Sequence, residues 1–447
     1  MANGVLRAGR TLVLSLLSAC IVVGPATRVQ AAPIVQETEA VPDARLQSRI
    51  GSLKPLFTGG GDFAASFTEQ FRQQVPEARW RALTAQVVAA IGAPVGVEEQ
   101  TSAGPHGATL RYGFERGIAT IRIAIEPDEP GRIAGLLIVN TEPRGDTAAR
   151  IAADVASLPG TAGLFVQRLD GGSLPPVIDQ AGDRAGPIGS AFKLWVLAEA
   201  ARQVAGGKRR WNDVLPLGER SLPSGVTQGW PPGSPVTLHT LAVQMISISD
   251  NTATDTLIAA LGRAQVDAIP ALAGVRDSDR TLPVLTTLEA FRLKALAKQG
   301  LVPTDWDRMT PDARRNLMAE QSTALKTAPV TASMFGQGPL RTDIEWFASP
   351  ADMARTLDWL RRNGGADAMA ILAVHPGTGV ADRFEWVGFK GGSEPGVLSL
   401  NYLVRTKSGQ WFAVTGQWHN PGGEVSEARF AAIMNRALTL ISRPVQP

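Results

Sequence analysis

Apolar positions along the chain fall into two blocks with different rhythms. From Leu53 to about Asn140 they first recur at helical spacing, through Phe63, Phe67 and Phe71 and then, past Val75-Pro76, through Trp80, Leu83, Val87 and Ile91 as far as Gly92. Three strand-like runs follow, over 108–114, 118–125 and 133–139, divided by Gly/Glu/Arg and Pro/Asp/Gly turns. This pattern predicts antiparallel meander strands on two helices, a small α+β domain over residues 53–142.

The turn-rich stretch Thr141-Glu142-Pro143-Arg144-Gly145-Asp146 marks a boundary. Beyond it, over 143–447, a helical run (147–157) leads to a strand (163–168), a Gly-Gly turn and a long helical region. Strand-like runs return late, at 386–390, 397–405 and 410–418, before a last helix over 425–441. Strands at both ends with helices between predict an α+β fold in which one antiparallel sheet is assembled from the two ends and a helical subdomain is inserted.

Composition sharpens the picture at the N-terminus. The 447 residues are 44% hydrophobic and 19% charged, which describes a globular chain. Arg7 and Arg10 precede an apolar run from Thr11 to Val23, and Val29-Gln30-Ala31 offers a cleavage site, so residues 1–31 read as an export signal and 32–52 as a polar tether. Leu17-Ser18-Ala19-Cys20 is an alternative lipoprotein box, with Cys20 as the acylated residue. The expected location is the periplasm or the exterior.

Cleavage after Ala31 leaves 416 residues and removes Arg7, Arg10 and Arg28, bringing the basic count from 44 down to the 41 acidic residues. No Lys/Arg run exceeds Lys208-Arg209-Arg210, so nucleic acid is not an expected partner. The mature chain would hold no thiol for a disulfide, a nucleophile or a metal. The four histidines, at 106, 239, 375 and 419, lack ligand spacing and no Gly-x-Ser-x-Gly elbow occurs; neither a metal, a cofactor nor a Ser-His-Asp triad is indicated.

Three segments carry candidate chemistry. Gly189 to Ala200 is apolar nearly all round, which predicts a buried helix with Lys193 inside it and Ser190 one turn earlier at its N-terminal end. A desolvated amine favours its neutral form, and free N–H groups at a helix start favour developing negative charge, so the pair suits acyl transfer. Taken alone, Ser190 could be a plain cap and Lys193 could snorkel to water. Ser249-Asp250-Asn251 stands between two helical runs, and Lys390-Gly391-Gly392-Ser393 ends a strand, where glycines let backbone approach a ligand and the lysine can hold an anion.

In the order Ser-x-x-Lys, Ser-Asp-Asn, Lys-Gly-Gly, these segments resemble the motifs of the serine β-lactamase and penicillin-binding-protein superfamily, class A branch, over residues 147–447. Met245 to Asp255 and Ser349-Pro350-Ala351-Asp352-Met353 extend that resemblance. The leading α+β domain, taken with residues 389–396, looks like the two-domain β-lactamase-like proteins of clavulanic acid gene clusters, and its folding pattern resembles small cone-shaped, nuclear-transport-factor-2-like or cystatin-like domains. The resemblance implies Ser190 as the acylated nucleophile, Lys193 as its base, Ser249 and Lys390 as proton carriers, Asn251 as orienting group, and an oxyanion hole from the backbone N–H groups of Ser190 and Ser393. It also implies a small-molecule β-lactam, ester or peptidoglycan-derived substrate.

Two departures bear on turnover. Gly391 stands where the family carries a hydroxyl residue, and no Glu-x-x-Leu-Asn segment is present. Glu289, within Leu285–Lys294, is a candidate replacement for the deacylating glutamate, with a helix cap as its ordinary role; Glu345 ranks below it. Without a placed carboxylate, acylation is expected to outrun deacylation. A D-alanyl peptidase, a cephalosporin-type esterase and a non-catalytic penicillin- or wall-binding module stay open as alternatives.

Overall fold

The computed structural model describes residues 43–442, except 173, 332, 335–337 and 339. The expected export signal, Cys20 and most of the expected tether lie outside these residues. Two compact units divide the chain, one ending at Gly145 and the other starting at Asp146.

In the first unit, five helices, α1 (Ala44–Gly51), α2 (Leu53–Thr58), α3 (Phe63–Ser66), α4 (Glu69–Gln74) and α5 (Glu77–Ile91), precede a four-stranded antiparallel meander. Its strands are β1 (Pro94–Ser102), β2 (Gly107–Phe114), β3 (Gly117–Ile125) and β4 (Ile133–Pro143). Three expectations need correction here. Residues 44–51 are not a tether: α1 buries Leu46 and Ile50 in the unit's core. The helix expected through Phe63, Phe67 and Phe71 is broken at Phe67, which is extended and bridges Ile133 while Thr68 caps a new helix. β1 escaped notice because an edge strand with an exposed Glu-Glu-Gln-Thr run lacks the apolar alternation of a half-buried one.

In the second unit, the sheet has five antiparallel strands in the order β7-β8-β9-β5-β6. Two come early, β5 (Thr161–Arg168) and β6 (Ile178–Gln180), and three late, β7 (Phe384–Glu394), β8 (Val397–Thr406) and β9 (Trp411–His419). This is the arrangement expected from strand-like runs at both ends. One core gathers around the first helix, α6 (Ala148–Ala156), the last helix, α12 (Glu427–Ser442), and the strand residues facing them, with Ile151, Leu164, Val414 and Phe430 fully buried. The other holds the helical subdomain, built on α7 (Lys193–Ala205), α8 (Leu238–Ser247), α9 (Asn251–Leu261), α10 (Thr287–Ala297) and α11 (Pro350–Asn363). Every residue of α7 from Lys193 to Ala201 is buried, as its apolar circumference implies. Among the described residues no helix is long and apolar enough to cross a membrane.

Arg436 ties α12 to α6 and to the residue that leads into it. Its guanidinium binds both carboxylate oxygens of Asp146 at 2.7 and 2.8 Å and Asp154 at 2.6 Å, and Arg436 and Asp146 are buried. Removing one partner of such a pair strands a buried charge. Asp146→Ala should therefore lower the unfolding free energy of this unit by about 3–5 kcal/mol, measured by urea denaturation followed through tryptophan emission.

Candidate active site

The segment before α7 is shaped by its neighbours. Gly186-Pro187 pairs with Phe347-Ala348, and Phe192 stacks on Trp346 with ring centroids 3.9 Å apart. Residues Gly189–Phe192 form a tight 3-10 turn, so Ser190 lies just ahead of α7 and Lys193 is its first residue. Ser190 is half-buried and Lys193 fully buried.

The Lys193 ammonium faces three oxygens: the Ser249 carbonyl at 2.7 Å, Ser249 Oγ at 3.0 Å and Asn251 Oδ1 at 2.7 Å. Ser249 can offer two of them because its backbone is left-handed, with φ +59°. A serine in that region is strained and must be held there. Asp250 supplies the hold: it caps α9 through Ala253 N and accepts from Val226 N, Thr227 N and Thr227 Oγ1 at 2.6 to 2.8 Å. Asn251 is fixed by donating Nδ2 to the Leu222 carbonyl at 2.9 Å. The cluster's capping role and its facing of the lysine thus belong to different residues.

Lys390 approaches from the opposite side. Its Nζ donates to Ser249 Oγ at 3.1 Å and to the Gly391 carbonyl at 2.5 Å, so one hydroxyl joins the two lysines. Burial first and the nearby Lys390 second push the Lys193 pKa well below its ordinary value, against the pull of Asp255 and Asp250. Burial brings Lys390 down to about 7. Two ammonium groups cannot share this dry site cheaply, which favours the neutral form of Lys193.

Glycines bring strand β7 onto the nucleophile turn. A Cβ on Gly392 would sit 2.2 Å from the Ile188 carbonyl oxygen and 2.6 Å from the backbone nitrogens of Ser190 and Ala191. A Cβ on Gly189, whose φ is +49°, would lie 3.2 Å from the backbone nitrogen of Ser393. The two segments meet backbone to backbone, which sets the N–H groups of Ser190 and Ser393 on adjoining walls. A cavity of about 350 Å³ opens there, lined by Ser190, Asn251, Ser393, Trp346, Phe291 and Glu394 among others. The structure thus gathers Ser190, Lys193, Ser249, Asn251, Lys390, Gly392 and Ser393 at one place, and Gly391 contributes its carbonyl to Lys390.

Glu289 does not join them. It closes a capping box with Thr286 at the start of α10 and binds Arg263 with both oxygens at 2.7 Å, so its ordinary role is the one it fills. It is not among the residues lining the cavity. Several contributors were not anticipated. Asp255, half-buried and raised to about 6 by desolvation, anchors the start of α10 through Thr287 and Leu288. Glu394 follows Ser393 directly, a proximity to the Lys-Gly-Gly motif that could have drawn notice.

Residues 146–365 match the model of the β-lactamase enzyme family. The match spans most of the second unit and agrees with the family resemblance of its motifs. No curated protein matches the chain. Among solved structures, the chain is similar to a β-lactamase from Sphaerobacter thermophilus, with 22% identity over 66% of this chain and 98% of that one and a TM-score of 0.45. A β-lactamase from Chitinophaga pinensis follows at 18% identity, 66% and 98% coverage and a TM-score of 0.43. A mutant of PBP-A, solved as an acyl-enzyme complex with penicillin G, has 17% identity, 66% and 95% coverage and a TM-score of 0.44.

Two outcomes follow for this site. Gly392→Ala must displace backbone at the Ser190 turn; it should cost about 1–3 kcal/mol of stability in a thermal melt. Lys390→Gln removes the like charge that adds to burial in holding the Lys193 pKa down. In an NMR pH titration of the lysine amines, the Lys193 transition should therefore move to higher pH.

Proposed function

We propose that this chain is an exported serine hydrolase that opens β-lactams, or cleaves related amides and esters, through an acyl-enzyme on Ser190. The observation that carries the reading is the burial of Lys193 at the first position of the helix that Ser190 precedes, with its nitrogen held by Ser249 and Asn251 and a second lysine beyond. A lysine so placed has its pKa lowered and can take a proton at neutral pH.

In this reading Lys193, in its neutral form, accepts the Ser190 hydroxyl proton as Oγ attacks the carbonyl carbon. The oxyanion forms against the backbone N–H groups of Ser190 and Ser393, where each preorganised donor is worth about 3–4 kcal/mol in the transition state. The proton then passes by way of Ser249 Oγ, which touches both lysine nitrogens, to the departing nitrogen or oxygen. Asn251 orients Lys193 and lines the cavity, where it can also meet the substrate amide.

Mass spectrometry of the protein after incubation with penicillin G, a cephalosporin and a simple ester tests the reading. An adduct mapped to Ser190, or product release, is expected, and Ser190→Ala should abolish both. Absence of adduct and product with all three would instead favour a binding module.

A further inference from the structure

Beside the nucleophile cavity lies a buried charge cluster that the acylation chemistry leaves unused. Lys294 of α10, about 1% exposed, bridges two carboxylates: Glu345 at 2.5 Å and Glu394, with which it also makes a direct ion pair. The Glu345 side chain is fully buried and that of Glu394 is 14% exposed. Glu394 is the residue after Ser393 on β7, two beyond the glycine that touches the Ser190 backbone, and it lines the same cavity as Ser190 and Asn251.

Charge balance decides the state of the cluster. Two ionised carboxylates with one ammonium would leave a net negative charge in a dry site, and Glu345 Oε2 is buried without a donor. One proton on Glu345 meets both demands: it neutralises the excess and gives that carboxyl an O–H to donate to Glu394. Burial and the neighbouring Glu394 carboxylate raise the Glu345 pKa well above the carboxylate range, in keeping with this. Glu394 is then held by Lys294 and Glu345 on one side and lines the cavity on the other.

On the acyl-enzyme reading above, we propose that Glu394 is the general base of deacylation, positioned by Lys294 and Glu345, in place of the glutamate segment this chain lacks. Water attacks the acyl carbon while Glu394 takes one of its protons; a new C–O bond forms from the water oxygen. As the tetrahedral intermediate collapses, the acyl carbon–Ser190 Oγ bond breaks and Glu394 returns the proton to Ser190, freeing the acid product and restoring the resting charges. The other carboxylate lining the cavity, Glu427, sits in the first turn of α12 and is the natural comparison.

The test separates formation of the penicillin G adduct from its decay, by mass spectrometry in rapid-quench time courses. Glu394→Gln should leave adduct formation within a few-fold of wild type and slow its decay by about 10²-fold or more, the range a general base supplies. Glu345→Leu should slow decay as well, and Glu345→Gln, which keeps a neutral donor, should restore it. A merely structural ion cluster would lower the melting temperature of these variants and leave the decay rate alone. If Glu394→Gln fails to fold, Glu394→Asp, which keeps the charge and shifts it, should give an intermediate decay rate. Unchanged decay in Glu394→Gln, a wild-type adduct as long-lived as the variant's, or loss of decay only in Glu427→Gln each overturns the assignment. A wild type that neither forms a Ser190 adduct nor consumes penicillin overturns the acyl-enzyme reading itself.

Discussion

An amine with no water around it is the constraint on which the second unit is organised. Lys193 is enclosed on every side, so its charge must be matched by oxygens or given up, and the surrounding chain is arranged to permit either. Ser249 adopts a left-handed backbone to present two oxygens, Asp250 is spent on holding that turn, and Asn251 is tied to the Leu222 carbonyl so that its own oxygen stays in place. Strain at one residue is thus offset by four hydrogen bonds at the next.

Lys390 turns this environment from a resting place into a switch. A single hydroxyl between two buried amines allows a proton to change owner with little movement of heavy atoms. Burial lowers both amines, and the charge on Lys390 lowers Lys193 further. The apolar wall that enforces this, from Phe192 and Trp346 to the fully buried face of α7, is therefore part of the chemistry as much as of the core.

Much of this architecture was legible from residue order. The all-round apolar helix, the Ser-x-x-Lys spacing, the polar break between α8 and α9 and the glycines after Lys390 each carry a local physical signature. What escaped was nonlocal or edge-like. The N-terminal β1 has charged side chains because one of its edges has no partner strand, and the α3–α4 break is set by the pairing of Phe67 with Ile133, far along the chain. Glu289 showed a helix-start pattern and fills that role, whereas Lys294, Glu345 and Glu394 are scattered over a hundred residues and meet only through folding. Charged residues far apart in sequence give no periodic signal that they will end up buried together.

The central pairing of the second unit joins β5 to β9, and Thr415 Oγ1 donates to the Phe165 carbonyl, 250 positions earlier in the chain. Contacts of that reach close a very large loop and cannot begin until nearly the whole polypeptide exists. Ser190 and its helix emerge from the ribosome long before Lys390 and the glycine-bearing strand that walls them in. A nascent or C-terminally shortened chain would thus carry Ser190 without an enclosure, and the dry surroundings of the neighbouring amine would come into being only with the final strands, at the end of synthesis.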